Sequence, residues 1–90
     1  MKPLRWTAHA LESLADREIE REEAEKTVHE PMLTVPGHGG RIVFLRRYRD
    51  RLLGQEMLMC VVAEERGDEV EVVTAYRTSK IEKYLRGGMS

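Results

Sequence analysis

The chain has 90 residues, 41% hydrophobic, 34% charged and 6% aromatic, with a formal net charge of -1. That length holds one domain with one modest core, and that composition is too apolar for a disordered chain. The longest unbroken apolar run, residues 57–63, has seven members, against the roughly 20 that a membrane-spanning helix needs.

No membrane partner is therefore expected. The opening Met1-Lys2-Pro3-Leu4-Arg5-Trp6 meets a charged helical pattern too soon for an export signal, so a cytoplasmic location is the expectation. A single cysteine, Cys60, excludes an internal disulfide and a cysteine-rich zinc site. The small net charge hides blocks. Residues 1–30 carry five basic and eight acidic side chains, residues 31–54 five basic and one acidic. Residues 55–76 carry one basic against six acidic, and residues 77–90 four basic against one acidic. Two basic stretches thus flank an acidic one. Folding either brings them onto one cationic face that attracts phosphate or leaves them as ordinary solvated surfaces.

Residues 3–7 read as a short strand or extended arm, with Leu4 and Trp6 on one side. Pro3 keeps it near an edge or a strand start. Thr7 suits the N-cap of a helix over 8–17. Ala8, Leu11, Leu14 and Ala15 form its apolar stripe, and His9, Ser13 and Arg17 a second stripe beside it. A second helix over 20–29 buries only Ala24, Thr27 and Val28, behind an N-cap, Glu20, of a poor type. Its crowded glutamates suit the positive end of the helix dipole. Pro31 stops it, and residues 31–40 read as loop. The Gly-rich stretch there lacks the lysine and following helix of a phosphate-binding loop.

Three strands follow, over 41–48, 55–65 and 69–76, joined by short turns into an antiparallel meander. The middle strand is apolar on both faces and belongs at the centre. A terminal helix over 79–86 is expected to be capped by Ser79, to turn Ile81 and Leu85 inward, and to end at Gly87-Gly88. The order β-α-α-β-β-β-α predicts an α+β domain spanning 1–90, two N-terminal helices on one sheet face and the other face partly open.

The candidate acid–base groups are His9, His29, His38, Tyr48, Tyr76 and Tyr84. The three histidines are isolated, so no metal site and no cofactor is indicated. Cys60 reads as an inert core residue. The densest chemistry lies in Thr74-Ala75-Tyr76-Arg77-Thr78-Ser79-Lys80-Ile81-Glu82-Lys83-Tyr84. If Arg47 or Arg49 shares a sheet face with Arg77, the result is a cleft suited to a phosphodiester. Arg77, Lys80, Arg47 and Arg49 would bind and stabilise phosphate, and Tyr84 or His9 would move protons. RNA cleavage needs no metal, because the ribose 2′-hydroxyl is the internal nucleophile. The plain alternative is that the tyrosines pack on the sheet, His9 is a satisfied helix residue and the basic groups form a solvated rim. Whether Arg46 or Arg47 faces the open side stays undecided, since a one-residue slip exchanges them.

Thr7-Ala8-His9-Ala10, Arg17-Glu18-Ile19, an acidic second helix ending at Pro31 and the final Val72-Val73-Thr74-Ala75-Tyr76 resemble a bacterial family known as domain of unknown function 4258. The family's pattern has Gly where this chain has Glu18. More remotely, the topology resembles the RelE/ParE superfamily of small toxins, and residues 74–84 are similar to the C-terminal part of BrnT-type toxins. That kinship implies a RelE-like fold, with RNA or the ribosome as target and an antitoxin as partner. The competing expectation is a non-catalytic interaction module, docking a partner or forming a homodimer.

Overall fold

A computed structural model describes residues 3–87. Its elements are β1 (Leu4–Trp6), α1 (Ala8–Asp16), α2 (Arg21–His29), β2 (Leu33–Pro36), β3 (Ile42–Asp50), β4 (Gln55–Arg66), β5 (Glu69–Thr78) and α3 (Ile81–Gly87). One five-stranded sheet runs β1-β5-β4-β3-β2, so the most apolar strand is central as its composition requires. β3, β4 and β5 form the expected antiparallel meander. β1 joins β5 in parallel, over Leu4↔Val70 to Trp6↔Val72.

The first helix begins as its sequence predicts: the Thr7 hydroxyl accepts from the Ala10 N–H at 3.0 Å. Its end is set by two backbone bonds. The Glu18 N–H donates to the Ala15 carbonyl (3.2 Å) and the Ile19 N–H to the Leu14 carbonyl (2.9 Å). Such an ending requires a left-handed residue between them, usually glycine. Glu18 occupies it with φ 53°. Ile19 and Leu14, the two residues that this ending brings together, both enter the core. Along α2 only Ala24, Thr27 and Val28 are buried, and no side chain caps it, as its sequence predicts.

Both sheet faces are covered. α1 packs on β5 and α2 on β4 and β3, enclosing Leu14, Ile19, Val28, Met57, Met59, Val61, Val72 and Ala75. The opposite face buries Val43, Leu45, Leu58 and Cys60 beneath Ile81, Tyr84 and Leu85 of α3.

Three local expectations are corrected. Residues 33–36, read as loop, form the edge strand β2, because Leu33↔Leu45 and Val35↔Val43 extend the sheet. Ser79 does not cap α3. The helix starts at Ile81, and the Thr78 hydroxyl accepts from the Lys80 N–H instead (3.1 Å). The face expected to stay partly open is closed by α3. Gly88, the expected terminator, lies outside the described residues.

Candidate functional site

A single inserted residue decides where the cations go. β5 pairs Thr74 with Val62 but Val72 with Ala63, so Val73 is extra. Such a bulge reverses the alternation beyond it. Val72 and Ala75 therefore both face the helices, and Arg77, two residues past Ala75, follows them. Counted without the bulge, Arg77 would fall on the other face. Across the sheet, Arg46 and Arg77 align with Met59, on the helix side. Arg47 and Thr78 align with Leu58, on the α3 side.

Arg47 and Arg77 thus lie on opposite faces, and the expectation of a common cleft is corrected. Arg77 is committed on the helix side. Its guanidinium donates to the Glu18 carbonyl (3.1 Å), bracing the left-handed turn, and pairs with Asp50 at 3.5 Å. His9 is exposed on α1. On the other face, Arg47 pairs with Glu56 and Arg49 donates to the Gly54 carbonyl (3.1 Å). Lys80 is exposed at the start of α3, and Tyr84 packs on the apolar cluster. Four of the six residues, Arg47, Arg49, Lys80 and Tyr84, therefore share one side. His9 and Arg77 are elsewhere.

The most developed polar centre is one that sequence reasoning missed. Asp50, 6% exposed, accepts from the Tyr48 hydroxyl (2.7 Å) and from the Leu53 N–H (2.9 Å) besides pairing with Arg77. Burial opposes its ionisation. The hydrogen bonds from Tyr48 and the Leu53 N–H, with the Arg77 charge, outweigh that and hold its carboxyl below the usual range. Burial and the same carboxylate push the Tyr48 phenol well above its ordinary value. This pair therefore stays as phenol and carboxylate near neutral pH and does not shuttle protons. The only sequence hint was an aspartate two residues after a tyrosine at the end of an arginine-rich strand.

Beside this centre opens a cleft of about 390 Å³, lined by Glu18, Glu20, Glu23, Tyr48, Asp50, Arg51 and Leu52. Four of its seven lining residues are acidic, which disfavours phosphate. Arg51 is already paired with Glu20 (2.6 Å) and Arg46, at its margin, with Glu23.

The stripe His9–Ser13–Arg17 has a structural use. β1 pairs with β5 only as far as Val72, and α1 takes over from there. The Thr7 hydroxyl donates to the Val72 carbonyl (3.0 Å), Ser13 meets the Thr74 hydroxyl (3.0 Å), and Arg17 donates to the Ala75 carbonyl (3.2 Å). These contacts satisfy an edge that the short β1 leaves unpaired.

On the α3 side, burial pushes the Cys60 thiol up to about 12 and, with Cys60 and Tyr84 adjacent, the Tyr76 phenol up to about 12. Neither is a nucleophile or base at neutral pH. Among the described residues, no group of His, Cys, Asp or Glu is placed to hold a metal ion.

No curated protein and no solved structure matches the chain. A family model described as a domain of unknown function, DUF4258, matches residues 6–77. That span runs from Trp6 to Arg77, taking in the α1 stripe, Tyr48 and Asp50 and stopping short of Lys80 and Tyr84. With most of its length matched, the chain belongs to the DUF4258 family.

Proposed function

We propose that this protein is a non-catalytic protein-interaction module that accepts a partner strand at the outer edge of β2. The observation that carries this reading is the division of its cations between two sheet faces, with Arg77, Arg47 and Arg49 each already engaged. A phosphodiester cleft needs such groups convergent and free. The β2 edge, in contrast, offers unpaired backbone beside exposed Met32 and Leu33. Strand addition draws its affinity from such backbone and its selectivity from neighbouring side chains.

The test has two arms. Purified, folded protein should leave single-stranded RNA and ribosome-bound message intact. It should also bind a synthetic strand of alternating threonine and valine, with binding lost in Leu33→Lys.

A second reading, a RelE-like ribonuclease acting on RNA phosphodiesters and neutralised by an antitoxin, is favoured by one observation. Arg47, Arg49, Lys80 and Tyr84 share the side of the sheet covered by α3. RNA cleavage that falls with Arg47→Ala or Tyr84→Phe would establish it and overturn the interaction reading.

A further inference from the structure

The two edges of the sheet are guarded unequally. At β1, Pro3 precedes the strand and Arg5 stands on it, 3.6 Å from both Glu69 and Glu71. Charges and prolines at an edge discourage pairing with another chain. At β2, the stretch Pro31-Met32-Leu33-Thr34-Val35-Pro36-Gly37 has no charged residue, and Met32 and Leu33 are 53% and 38% exposed.

The backbone of this edge has a definite pattern. The Gly37 N–H donates to the Arg41 carbonyl at 2.8 Å, continuing the Pro36↔Ile42 register. Bonded positions alternate along an antiparallel pair. Val35 and Leu33 therefore bond inward to β3, and the N–H and C=O of Thr34 point outward. The Met32 N–H is also turned inward, to the Leu45 carbonyl (2.8 Å). Pro36 has no N–H. Between residues 32 and 36, Thr34 is thus the one residue with an outward N–H.

We propose that a second copy of this chain pairs with β2 antiparallel, on a two-fold axis through Thr34. This inference rests on the interaction-module reading and names its partner. Each Thr34 N–H donates to the carbonyl of its twin, making both bonds of one closely spaced pair. The same operation sets Met32 against Pro36 of the other copy. Neither position has an outward donor, so the pairing strands none. Identical edges without charge meet with no like-charge contact, and a formal net charge of -1 gives the two copies little mutual repulsion. Met32 and Leu33 flank the seam and lose their exposure there. A two-fold contact of this kind closes on itself and forms a dimer rather than a fibre.

The experiment is light scattering during size exclusion over a concentration series. The wild type should approach twice the chain mass as concentration rises. Thr34→Pro removes only an outward donor and leaves the β2–β3 ladder intact. It should weaken self-association about tenfold or more, with an unchanged circular dichroism spectrum. Leu33→Lys should act the same way through charge. Pyrene attached at Thr34→Cys reports the axis directly, since Cys60 is buried and does not take the label. Excimer emission is expected there and not from Asp68→Cys.

A dimer indifferent to Thr34→Pro and silent in excimer emission would overturn the two-fold at Thr34. So would a monomer at millimolar concentration that still binds the threonine–valine strand, and in that case the interaction reading survives. If the chain is monomeric and binds no strand, both fall.

Discussion

Arg77 and Arg47 belong to neighbouring cross-strand rows of the same sheet and have the same chemistry. Their surroundings make them different residues. On the helix side, Arg77 is 14% exposed and Asp50 7% by side chain, and the pair also holds Tyr48, the Leu53 N–H and the Glu18 carbonyl. On the α3 side, Arg47 and Glu56 are 46% and 52% exposed and join only the two strands they stand on. A buried ion pair is costly to break because it leaves an unpaired charge, whereas an exposed one is screened by water. The helix-side centre is therefore structural, tying the α1–α2 turn to the ends of β3 and β5.

Removing Asp50 should have the largest effect on this contrast. Asp50→Ala strands the Arg77 guanidinium and the Leu53 N–H and should cost about 4 kcal/mol in urea unfolding. A cavity beneath the exposed pair comes next. Leu58→Ala empties a fully buried position on the α3 side and should cost about 3 kcal/mol by the same measurement.

Glu18→Gly should act in the opposite direction. It relieves the left-handed strain at φ 53° and keeps the carbonyl that Arg77 uses, so it should raise stability by about 1 kcal/mol. The melting temperature reads this. Arg47→Ala should cost less than about 1 kcal/mol. A loss as large as that of Asp50→Ala would erase the contrast.

The pH dependence sharpens the comparison further. The Asp50 carboxyl is held below its unfolded value, so below that value the unfolded state binds the extra proton first. Its contribution is complete above about pH 4 and is lost as pH falls through its folded pKa. Asp50→Asn should therefore flatten the acid limb of the stability–pH profile. A limb as steep as the wild type's would show that other carboxylates carry it.

Much of this architecture could be read locally. Thr7 capping α1, the three inward residues of α2 and the central place of β4 all follow from signals within a turn or a strand. β2 escaped because a four-residue strand flanked by two prolines has too little pattern to distinguish it from loop. Its pairing rests on β3, not on its own propensity. The candidate site was legible in residue types only. The concentration of arginines in β3 and after β5 was evident, but their facing was not.

What the amino-acid order alone determined was the α+β class, the order of nearly every element and the segregation of charge into blocks. Capping, helical period and turn chemistry act over a few residues and need no distant partner. Tertiary structure alone decided which arginines meet. The extra residue at Val73 shifts parity along β5 and sends Arg77 to Asp50 instead of to Arg47. Sheet alternation has a period of two, so one unpaired residue reverses every side chain beyond it, and only pairing with β4 reveals where that residue lies.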